Sequence, residues 1–582
     1  AHLYQDILMN RNSENYDVAI IGSGIAGSTL GAILARHGLK VIVFEAHSHP
    51  KFAIGESMIL ETSETMRAIA TLYDVPELAF YSSETYFPWI GTSHGVKRHF
   101  SYLYHQENQT QYDLSKVLQA VIPKEPYGHE LHIYRQDSDY FLTAIAVRYG
   151  ATVLQNTRIQ DIDIDDQGVY IRWSATQGVR AKYVVDAGGY RSILAEKFGL
   201  REHSLKTHSR AIFTHMLDLP CYHKVSESRG EYGIPFPLSE GTLHHLFKGG
   251  WLWVIPFDNH ACSTNPLCSV GLMLDPRIHP QPANLSPESE LYAFLERYPT
   301  IAQQFCHAKP VRSWTRTGRI QYGAKQIVGD RFCLLGHAAG FIDPLFSKGL
   351  YTALFSVSVL ADRLLIAHQT DNYATENFLK VEQITQSFIK TNDRLIANAY
   401  RAFEHYSLWS VYSVLWLLGA YLELVKLTSA RAQLGFNLSA DSLSTMRQRY
   451  YSQTKSLTLV GGGFSAFDSL AEQIYTLLEA TDLECDRAVT QTAEQMYQLL
   501  VAVPWLPTTF RDVLNGKNHL PVHKFRPSLF RAKQGFLGSG AYREHFFGKT
   551  PLSSLIQFFV TEKARMMQQR LKRLSQQLDM AA

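Results

Sequence analysis

The sequence has few cysteines and no excess of charge of either sign. Its 582 residues include six cysteines, none of them in a Cys-x-x-Cys pair, so neither a disulfide framework nor a metal site is predicted. We therefore expect a reducing, cytoplasmic setting. The 56 Lys and Arg against 53 Asp and Glu leave a net charge of +3, which excludes the strongly basic surface of a nucleic-acid-binding protein.

The sequence also has little that indicates a membrane. Residues 1–15 are polar and contain no apolar signal segment, so secretion is not predicted. Residues 406–422 are aromatic, apolar and uncharged, but they are short for a bilayer span and include serines and a glycine. We interpret them as a buried or interfacial helix, and contact with a membrane surface is the alternative.

The hydrophobic content of 46% predicts a folded protein of several lobes. The first third alternates strand and helix patterns, beginning with a strand at 16–21, a helix at 28–37 and a strand at 39–45. The middle section, around TLHHLF and WLWVIPF, has the pattern of an antiparallel sheet. After about residue 352 the pattern becomes helical.

A glycine-rich turn separates the first strand from the first helix, with the pattern G-x-G-x-x-G. Such a turn lets backbone amides at the start of a helix bind a pyrophosphate, and an acid at the end of the second strand, here Glu45, binds a ribose hydroxyl. This context predicts a dinucleotide site formed by Gly22, Gly24, Ile25, Ala26 and Gly27. A second glycine run at 461–463 lacks a following strand and acid, so we interpret it as a loop before a helix. No separate nicotinamide domain is predicted.

A second constellation lies near residues 328–350. A short apolar strand is followed by the Gly336-His337 turn and by Asp343-Pro344-Leu345-Phe346-Ser347-Lys348-Gly349, where backbone amides can again meet a cofactor. Together with the Asp186-Ala187-Gly188-Gly189 turn, it completes the pattern of a two-domain FAD protein.

These motifs resemble those of flavin-dependent halogenases, the tryptophan-halogenase-like branch of the FAD monooxygenases. Trp251-Leu252-Trp253-Val254-Ile255-Pro256 matches the family's W-x-W-x-I-P signature, Gly55-Glu56-Ser57 matches its strap beside the flavin, and residues 343–349 match its D-P-x-F-S-x-G turn. The resemblance covers about residues 16–365. It implies bound FAD, a flavoprotein oxidoreductase and a role in secondary metabolism.

In the family, reduced FAD and O₂ generate an oxidant that a halide attacks, and the hypohalous acid formed travels to the substrate. The resemblance places a chloride or bromide near the amides of Lys348 and Gly349, and it makes Trp251 and Trp253 a barrier between substrate and flavin. It implies two sets of residues. The catalytic set is Trp251, Trp253, Lys348 and Glu56, and the cofactor-binding set is Gly22, Gly24, Ile25, Ala26, Gly27, Glu45, Gly55, Ser57, Arg135, Asp186, His337, Asp343, Pro344 and Gly349.

The sequence departs from the family at the lysine that hands the halogen to the substrate. No lysine lies between Ser57 and Val96, and Lys97 follows in a polar stretch, where we expect a solvated side chain. Gly336-His337 stands where flavoproteins of this kind usually have Gly-Asp. The imidazole of His337 could donate a hydrogen bond to the ribityl chain or the pyrophosphate of FAD. For Lys348 three roles stay open: it could hold a halide, stabilise a peroxide anion or point to solvent.

Two further patterns involve aromatic rings. His244 and His245 alternate along a strand, so only one of them can face a substrate, and a structural role is preferred for each. Positions 406, 409, 412 and 416 recur at helical spacing and predict one aromatic helix face, which we interpret as core packing or as a wall for a large apolar substrate.

We therefore predict an α/β protein with a Rossmann-like, two-lobed FAD-binding monooxygenase/halogenase fold, an antiparallel substrate sheet and a large C-terminal helical lobe. The expected domains are an FAD-binding domain at 1–200 and 310–390, a β-rich substrate lobe at 201–309 and a helical domain at 391–582. The predicted activity is hydroxylation or dehydrogenation of an apolar, aromatic or carrier-bound substrate, with a separate flavin reductase as electron source. The alternatives are an authentic halogenase with a relocated lysine and a non-catalytic flavin-binding partner protein.

Overall fold

The computed structural model describes residues 15–124, 126–225, 232–435, 442–522 and 540–581, so the polar amino-terminal segment lies almost wholly outside the described residues. The chain forms two compact units. The first comprises the described parts of 1–80, 133–208 and 319–396, and the second those of 81–132, 209–318 and 397–582. The division falls within the helix Leu379–Ala402.

The first unit is built on a mostly parallel sheet. The strand Asn15–Ile21 is its centre and pairs in parallel with Val41–Phe44 on one side and Gly178–Asp186 on the other. The sheet continues in parallel to Thr152–Leu154 and to Phe332–Leu334. All residues of Val41–Phe44 are buried, as expected for a parallel strand covered on both faces. The predicted Rossmann-like α/β fold is confirmed.

Helices cover this sheet, and short strands extend it. The helix Ile25–Arg36 begins directly after the glycine-rich turn and packs against both Arg135–Arg148 and Gly349–Thr370. The other helices of the unit are Leu60–Leu72 and Ile193–Lys197, and its remaining strands are Asp161–Asp165, Gly168–Arg172, Arg201–Glu202, Gly323–Ala324 and Val328–Gly329.

The second unit is built on a larger, mostly antiparallel sheet. Its strand order is Lys309–Pro310, Arg210–Leu217, Cys268–Leu274, Gly250–Pro256, Thr242–Phe247, His99–Tyr104 and Val117–Val121. The one parallel pairing on this path among the described residues joins Thr242–Phe247 to His99–Tyr104. Thr315–Arg319, at the division between the units, also pairs with Arg210–Leu217, and Gly95–Lys97 forms a separate ribbon with Glu130–His132.

Each face of this sheet packs against helices. One face buries Leu243, Leu252 and Val270 against Pro287–Arg297 and Pro299–Ala302. The other face contacts the long helix Tyr406–Gly435 through aromatic rings. The remaining helices of the unit are Ser83–Trp89, Tyr222–Val225, Leu443–Thr454, Ser465–Ala480, Asp486–Val501, Thr508–Leu514, Gly540–Phe547 and Leu552–Ala581.

The division differs from the expected domains in two ways. Residues 81–132, which we assigned to the FAD-binding domain, provide two strands to the second sheet. The C-terminal helices belong to the same unit as that sheet instead of forming a domain of their own. The cause is strand pairing across more than a hundred residues of sequence, which local patterns do not encode.

The glycine run at 461–463 is a short turn before the helix Ser465–Ala480, as predicted. Two helices, Gly349–Thr370 and Tyr406–Leu434, are long and apolar enough to cross a membrane, but 78% of each apolar window is buried within the protein. Their apolar side chains therefore serve the core, which agrees with the predicted buried helix at 406–422.

Candidate flavin site and aromatic face

A cavity of about 490 Å³ lies in the first unit, at the carboxyl ends of the parallel strands. The glycine-rich turn forms part of its wall. A side chain at Gly27 would come within 2.0 Å of the carbonyl oxygen of Gly22, whereas the space at Gly24 and Gly349 is open. The turn and the helix are thus closely packed, and the backbone at Gly24 and at Gly349 faces the cavity without a side chain. The predicted residues that line it are Gly22, Gly24, Ile25, Ala26, Gly27, Glu45, Arg135, His337 and Gly349.

The predicted ribose ligand, Glu45, is buried at the end of its strand and already has several partners. Its carboxylate accepts hydrogen bonds from the Ser23 amide at 3.1 Å and the Ser23 hydroxyl at 2.9 Å, and it forms an ion pair with Lys51. Burial raises the pKa of Glu45, but the bond and charge of Lys51 outweigh it and hold the pKa at about 2. The carboxylate is therefore ionised, and it orients Lys51 along the cavity wall.

The Gly-Glu-Ser strap is anchored by Arg135. This guanidinium forms a bidentate pair with Asp139, at 2.8 and 2.9 Å, and donates to the carbonyl of Gly55 at 3.3 Å. Gly55 has a φ of +92°, and Glu56 is buried. Ser347 donates to the Ser57 hydroxyl at 3.3 Å, so the strap and the D-P-x-F-S-x-G turn, far apart in sequence, meet in space.

Lys348 is 1% exposed and forms an ion pair with Glu61. The suggestion that it points to solvent is therefore wrong. Glu61 lies one residue into the helix Leu60–Leu72, which places a carboxylate beside the turn. Because a buried charge requires a partner, Glu61 compensates the positive charge that would otherwise attract an anion.

Two predicted cofactor residues hold loops instead of facing the cavity. Asp186 is buried and accepts from Ser192 at 2.6 Å, the Gly188 amide at 2.9 Å and the Leu194 amide at 3.1 Å. Burial raises the pKa of Asp186, and these three hydrogen bonds oppose the rise. Asp343 caps a short turn that starts at Pro344 by accepting from the Leu345 amide at 3.1 Å. Neither carboxylate lines the cavity, because each is used by its own loop.

His337 lies in the cavity wall beside Gly336, as the sequence indicates. Its side chain is accessible to solvent from the cavity, but desolvation by the surrounding protein, and then the charge of Arg135, lower its pKa to about 4. The imidazole is therefore neutral and can donate one hydrogen bond into the cavity.

Sequence reasoning predicted Arg135 but missed three other cations of this cavity. Lys51, Arg158 and Arg191 line it together with Arg135. A positively lined cavity with open glycine backbone suits a pyrophosphate. Nothing in the local sequence marks Lys51, Arg158 or Arg191 as a residue of the cavity wall.

The tryptophans of the W-x-W-x-I-P motif lie in the second unit, on the sheet face that contacts Tyr406–Gly435. Trp251 and Trp253 are both buried, with ring centres 5.8 Å apart. The Trp253 ring lies over Gly271, where a side chain would come within 1.9 Å of the indole, and its Nε1 donates to Ser269 at 3.2 Å. We call this surface the aromatic face and define it by Phe100, Tyr102, Tyr104, His244, Trp251 and Trp253.

The aromatic face contacts the long helix through part of the predicted helix stripe. Trp409 and Trp416 contact the ring of Tyr102 at 5.2 and 5.4 Å. Tyr406 contacts Tyr104 at 5.5 Å. The fourth predicted member, Tyr412, instead contacts Tyr475, with ring centres 6.4 Å apart. The spacing therefore identified three of the four ring positions, and the fourth turns toward a neighbouring helix.

Lys97 contradicts the expectation of a solvated side chain. It is fully buried at the end of the strand Gly95–Lys97, opposite Glu130 in the ribbon. Its Nζ lies 3.4 Å from the centre of the Phe100 ring, a cation–π contact that stabilises a buried ammonium group. The polar neighbours in sequence misled the prediction, because pairing with residues 130–132 buries the whole strand Gly95–Lys97.

His244 and His245 face opposite sides of the sheet, as their alternation predicts. His244 stacks on Tyr102 with ring centres 4.6 Å apart. His245 belongs to a buried chain, bonded to His105 at 2.8 Å and to Gln304 at 2.9 Å. His245 is thus a structural residue, and His244 is the histidine of the aromatic face.

Comparisons with known proteins agree with this architecture. A family model described as an FAD binding domain matches residues 15–380. Monodechloroaminopyrrolnitrin halogenase PrnC of Pseudomonas fluorescens is 42% identical over 428 residues, which cover 72% of this chain and 74% of that protein. Tetracycline 7-halogenase of Kitasatospora aureofaciens is 42% identical over 404 residues, covering 69% of this chain and 72% of that protein.

A solved structure extends the likeness beyond the matched domain. The crystal structure of halogenase PltM in complex with phloroglucinol and FAD has a TM-score of 0.80 and 34% identity, over 87% of this chain and 99% of that chain. The cavity of the first unit suits FAD, since open glycine backbone and several cations can hold its pyrophosphate and Glu45 lies at the ribose position of the motif. Bound FAD would supply the redox chemistry. The chain therefore belongs to the flavin-dependent halogenase family and is an FAD-dependent enzyme, a halogenase-like oxidoreductase.

Proposed function

We propose that this enzyme is an authentic halogenase that attaches chlorine or bromine to an aromatic substrate. The observation that carries the proposal is the 42% identity to two proteins named as halogenases, each over more than two thirds of its length. Their names favour halogen transfer over the hydroxylation or dehydrogenation that the motifs led us to predict. That prediction depended on the apparent lack of a lysine for halogen transfer. The burial of Lys97 supports Lys97 as the residue that fills this role.

Lys97 is the residue that we assign to halogen transfer. It is fully buried, and its ammonium group lies on the ring of Phe100, a member of the aromatic face. A buried amine among aromatic rings is shielded from water, which would otherwise compete for an electrophilic halogen. Lys348 is the other buried candidate, and its pairing with Glu61 favours a structural role.

The other proposed roles come from the family resemblance. Trp251 and Trp253 form a rigid part of the aromatic face, held by Gly271 and Ser269, and we retain them as catalytic candidates. Glu56 is a buried carboxylate in the strap that Arg135 anchors, and we retain it as a catalytic candidate. Gly349, with open space at its backbone, is the proposed halide contact.

The proposed partners are a separate flavin reductase, which provides reduced FAD, and a small aromatic substrate. The PltM structure contains phloroglucinol, and a relative with 26% identity is named as a chlorinase of a carrier-bound pyrrole. Both are aromatic, so we propose an electron-rich ring. Whether the ring is free or carrier-bound is an outcome of a substrate screen.

The test combines purified protein, FAD, a flavin reductase, NADH, O₂ and bromide with electron-rich arenes. We expect a brominated product that is absent when bromide is omitted. An oxygenated product formed equally without bromide would overturn the proposal in favour of the oxygenase reading. Failure of the reduced protein to consume O₂ would indicate the non-catalytic partner.

Lys97→Met is the decisive variant. We expect it to lose arene bromination by at least about 10³-fold, because a covalent carrier is removed, while reoxidation of bound reduced FAD stays normal. Lys348→Met is the matched control, since it removes another buried lysine. If Lys348→Met abolishes bromination and Lys97→Met does not, Lys348 is the transfer residue.

A further inference from the structure

The aromatic face holds three polar groups whose hydrogen-bonding capacity is unused. Tyr102 and Trp251 are buried, and within the described part of the chain neither the Tyr102 hydroxyl nor the Trp251 Nε1 has a hydrogen-bond partner. A buried polar group without a partner costs free energy. Two such groups on one surface therefore indicate a ligand that would satisfy them.

The third group is one nitrogen of His244. Its Nδ1 lies 3.1 Å from the carbonyl oxygen of Ser101, and because a carbonyl only accepts, Nδ1 must carry the hydrogen. Burial, and then the charge of Lys97, hold the pKa of His244 well below its ordinary value. The ring is therefore neutral, and Nε2 has a lone pair. For Nε2 no partner is found among the described residues.

These groups are neighbours. Tyr102 and His244 are register partners on adjacent strands, with stacked rings 4.6 Å apart. Trp251 lies 5.5 Å from His244 between ring centres. One acceptor, one donor and one hydroxyl thus meet on a surface of aromatic rings, with the ammonium group of Lys97 on the adjoining Phe100.

We infer that this cluster recognises a hydroxyarene and that Nε2 of His244 accepts the proton of its ring hydroxyl during halogenation. This inference rests on the proposed function, which supplies the oxidant as a halogenated amine at Lys97. Trp251 and Tyr102 donate to the substrate oxygen as negative charge develops there. The substrate class is therefore a phenol, and the halogen enters at a carbon that the hydroxyl group activates.

The ring carbon attacks the halogen of the halogenated amine in its protonated form, the nitrogen–halogen bond breaks with its electron pair on nitrogen to leave a neutral amine, and the hydroxyl proton passes to His244, leaving a dienone. The ring carbon then loses its hydrogen as a proton, which the amine nitrogen takes up. His244 returns its proton to the oxygen when the ring regains aromaticity. The net reaction converts halogenated amine and arene into amine and haloarene.

His244→Asn tests this role, because the Asn amide can still donate to Ser101 but has no group at the Nε2 position. The substrates are resorcinol and 1,3-dimethoxybenzene, which lacks an ionisable hydroxyl. We expect bromination of resorcinol to fall by about 10²-fold or more in the variant, and the slow reaction of the dimethyl ether to be unchanged. More acidic fluorinated resorcinols should recover part of the lost rate, because they need less help to lose the proton.

His245→Asn is the matched control, because it replaces the adjacent buried histidine on the opposite face. It should preserve the preference for resorcinol over the ether even if it lowers stability. Tyr102→Phe provides a second, milder variant that removes only one hydroxyl, and we expect it to raise the KM for resorcinol by about tenfold. Tryptophan fluorescence melting would confirm that each variant is folded.

A diketone that traps electrophilic halogen, supplied in place of the arene, distinguishes failure of the proposed halogenase function from failure of the role proposed for His244. If the wild-type enzyme halogenates neither the trap nor any arene, the proposed function fails. If it halogenates the trap but not resorcinol, or if His244→Asn slows resorcinol and its ether equally, the role of His244 is overturned while the proposed function stands.

Discussion

In the first unit, three ion pairs lie at or near the cavity, whereas the aromatic face of the second unit holds polar groups that have no protein partner among the described residues. Glu45 pairs with Lys51, Arg135 with Asp139 and Lys348 with Glu61. On the aromatic face, the Tyr102 hydroxyl and the Trp251 Nε1 are buried and have no hydrogen-bond partner in the part of the chain that the structure describes. The first arrangement shapes a site before a ligand binds, since its charges already compensate one another. The second leaves recognition to the ligand.

The two units also differ in the ionisation of their buried side chains. In the first unit the pKa of Glu45 is held at about 2, so its carboxylate stays charged. In the second unit burial lowers the pKa of His99 and His132 to about 3, so these imidazoles stay neutral. A charged rim suits the phosphates of a cofactor, and neutral rings suit an apolar arene.

The largest expected loss of stability comes from breaking the ion pair between Glu61 and Lys348 in the first unit. Glu61→Gln leaves the buried Lys348 ammonium without its counter-ion, and we expect the free energy of unfolding to fall by about 3–5 kcal/mol. The double variant Glu61→Leu, Lys348→Met should recover most of this loss. Urea unfolding monitored by the fluorescence of bound FAD measures it. A loss below about 1 kcal/mol would mean that the pair is not a structural unit and would reopen halide binding for Lys348.

The next effect is a dependence on pH in the second unit. His99 and His132 have folded pKa values of about 3 against an ordinary 6.5. The unfolded chain therefore binds protons that the folded chain does not between those values. Stability is full above pH 6.5 and falls by about 1.4 kcal/mol per histidine for each pH unit below it.

Tryptophan fluorescence reports this change, because Trp173 is the only tryptophan whose position falls in the first unit. From pH 7.5 to 5.5 we expect a loss of about 3 kcal/mol for the two histidines together. His99→Gln should reduce the loss between these pH values by about 1.4 kcal/mol, because the other buried histidines of the unit, among them His94 and His129, keep their own contributions. A profile that is flat down to pH 4.5 would contradict the buried neutral state.

The smallest effect sharpens the description of the aromatic face. Gly271→Ala places a methyl group where the Trp253 ring lies, so we expect the indole to shift and stability to fall by about 1–3 kcal/mol. Near-ultraviolet circular dichroism would record the altered ring environment. Gly318→Ala, where nothing lies within 4 Å, is the control. Identical spectra for the two variants would show that Gly271 does not position Trp253.

Much of the first unit was predictable, because its signals are local. The turn at 22–27 lies between its strand and helix as expected, and it lines the cavity with Glu45 and His337. The roles of Asp186 and Asp343 were not predictable, since a carboxylate beside a turn can face either a ligand or its own loop. The counter-ions Lys51 and Glu61 were also missed, because nothing in their local sequence marks them as partners.

The sequence by itself determined the Rossmann-like α/β fold, the FAD cofactor and the family, since glycine spacing, strand-end acids and the tryptophan motif are short-range patterns. Only the tertiary structure decided that Lys97 is buried on Phe100 and that His244, Tyr102 and Trp251 meet on one face. The physical reason is strand pairing. Residues 95–104, 242–247 and 250–256 become neighbours through backbone hydrogen bonds between distant segments, and that pairing decides which side chains lose contact with water.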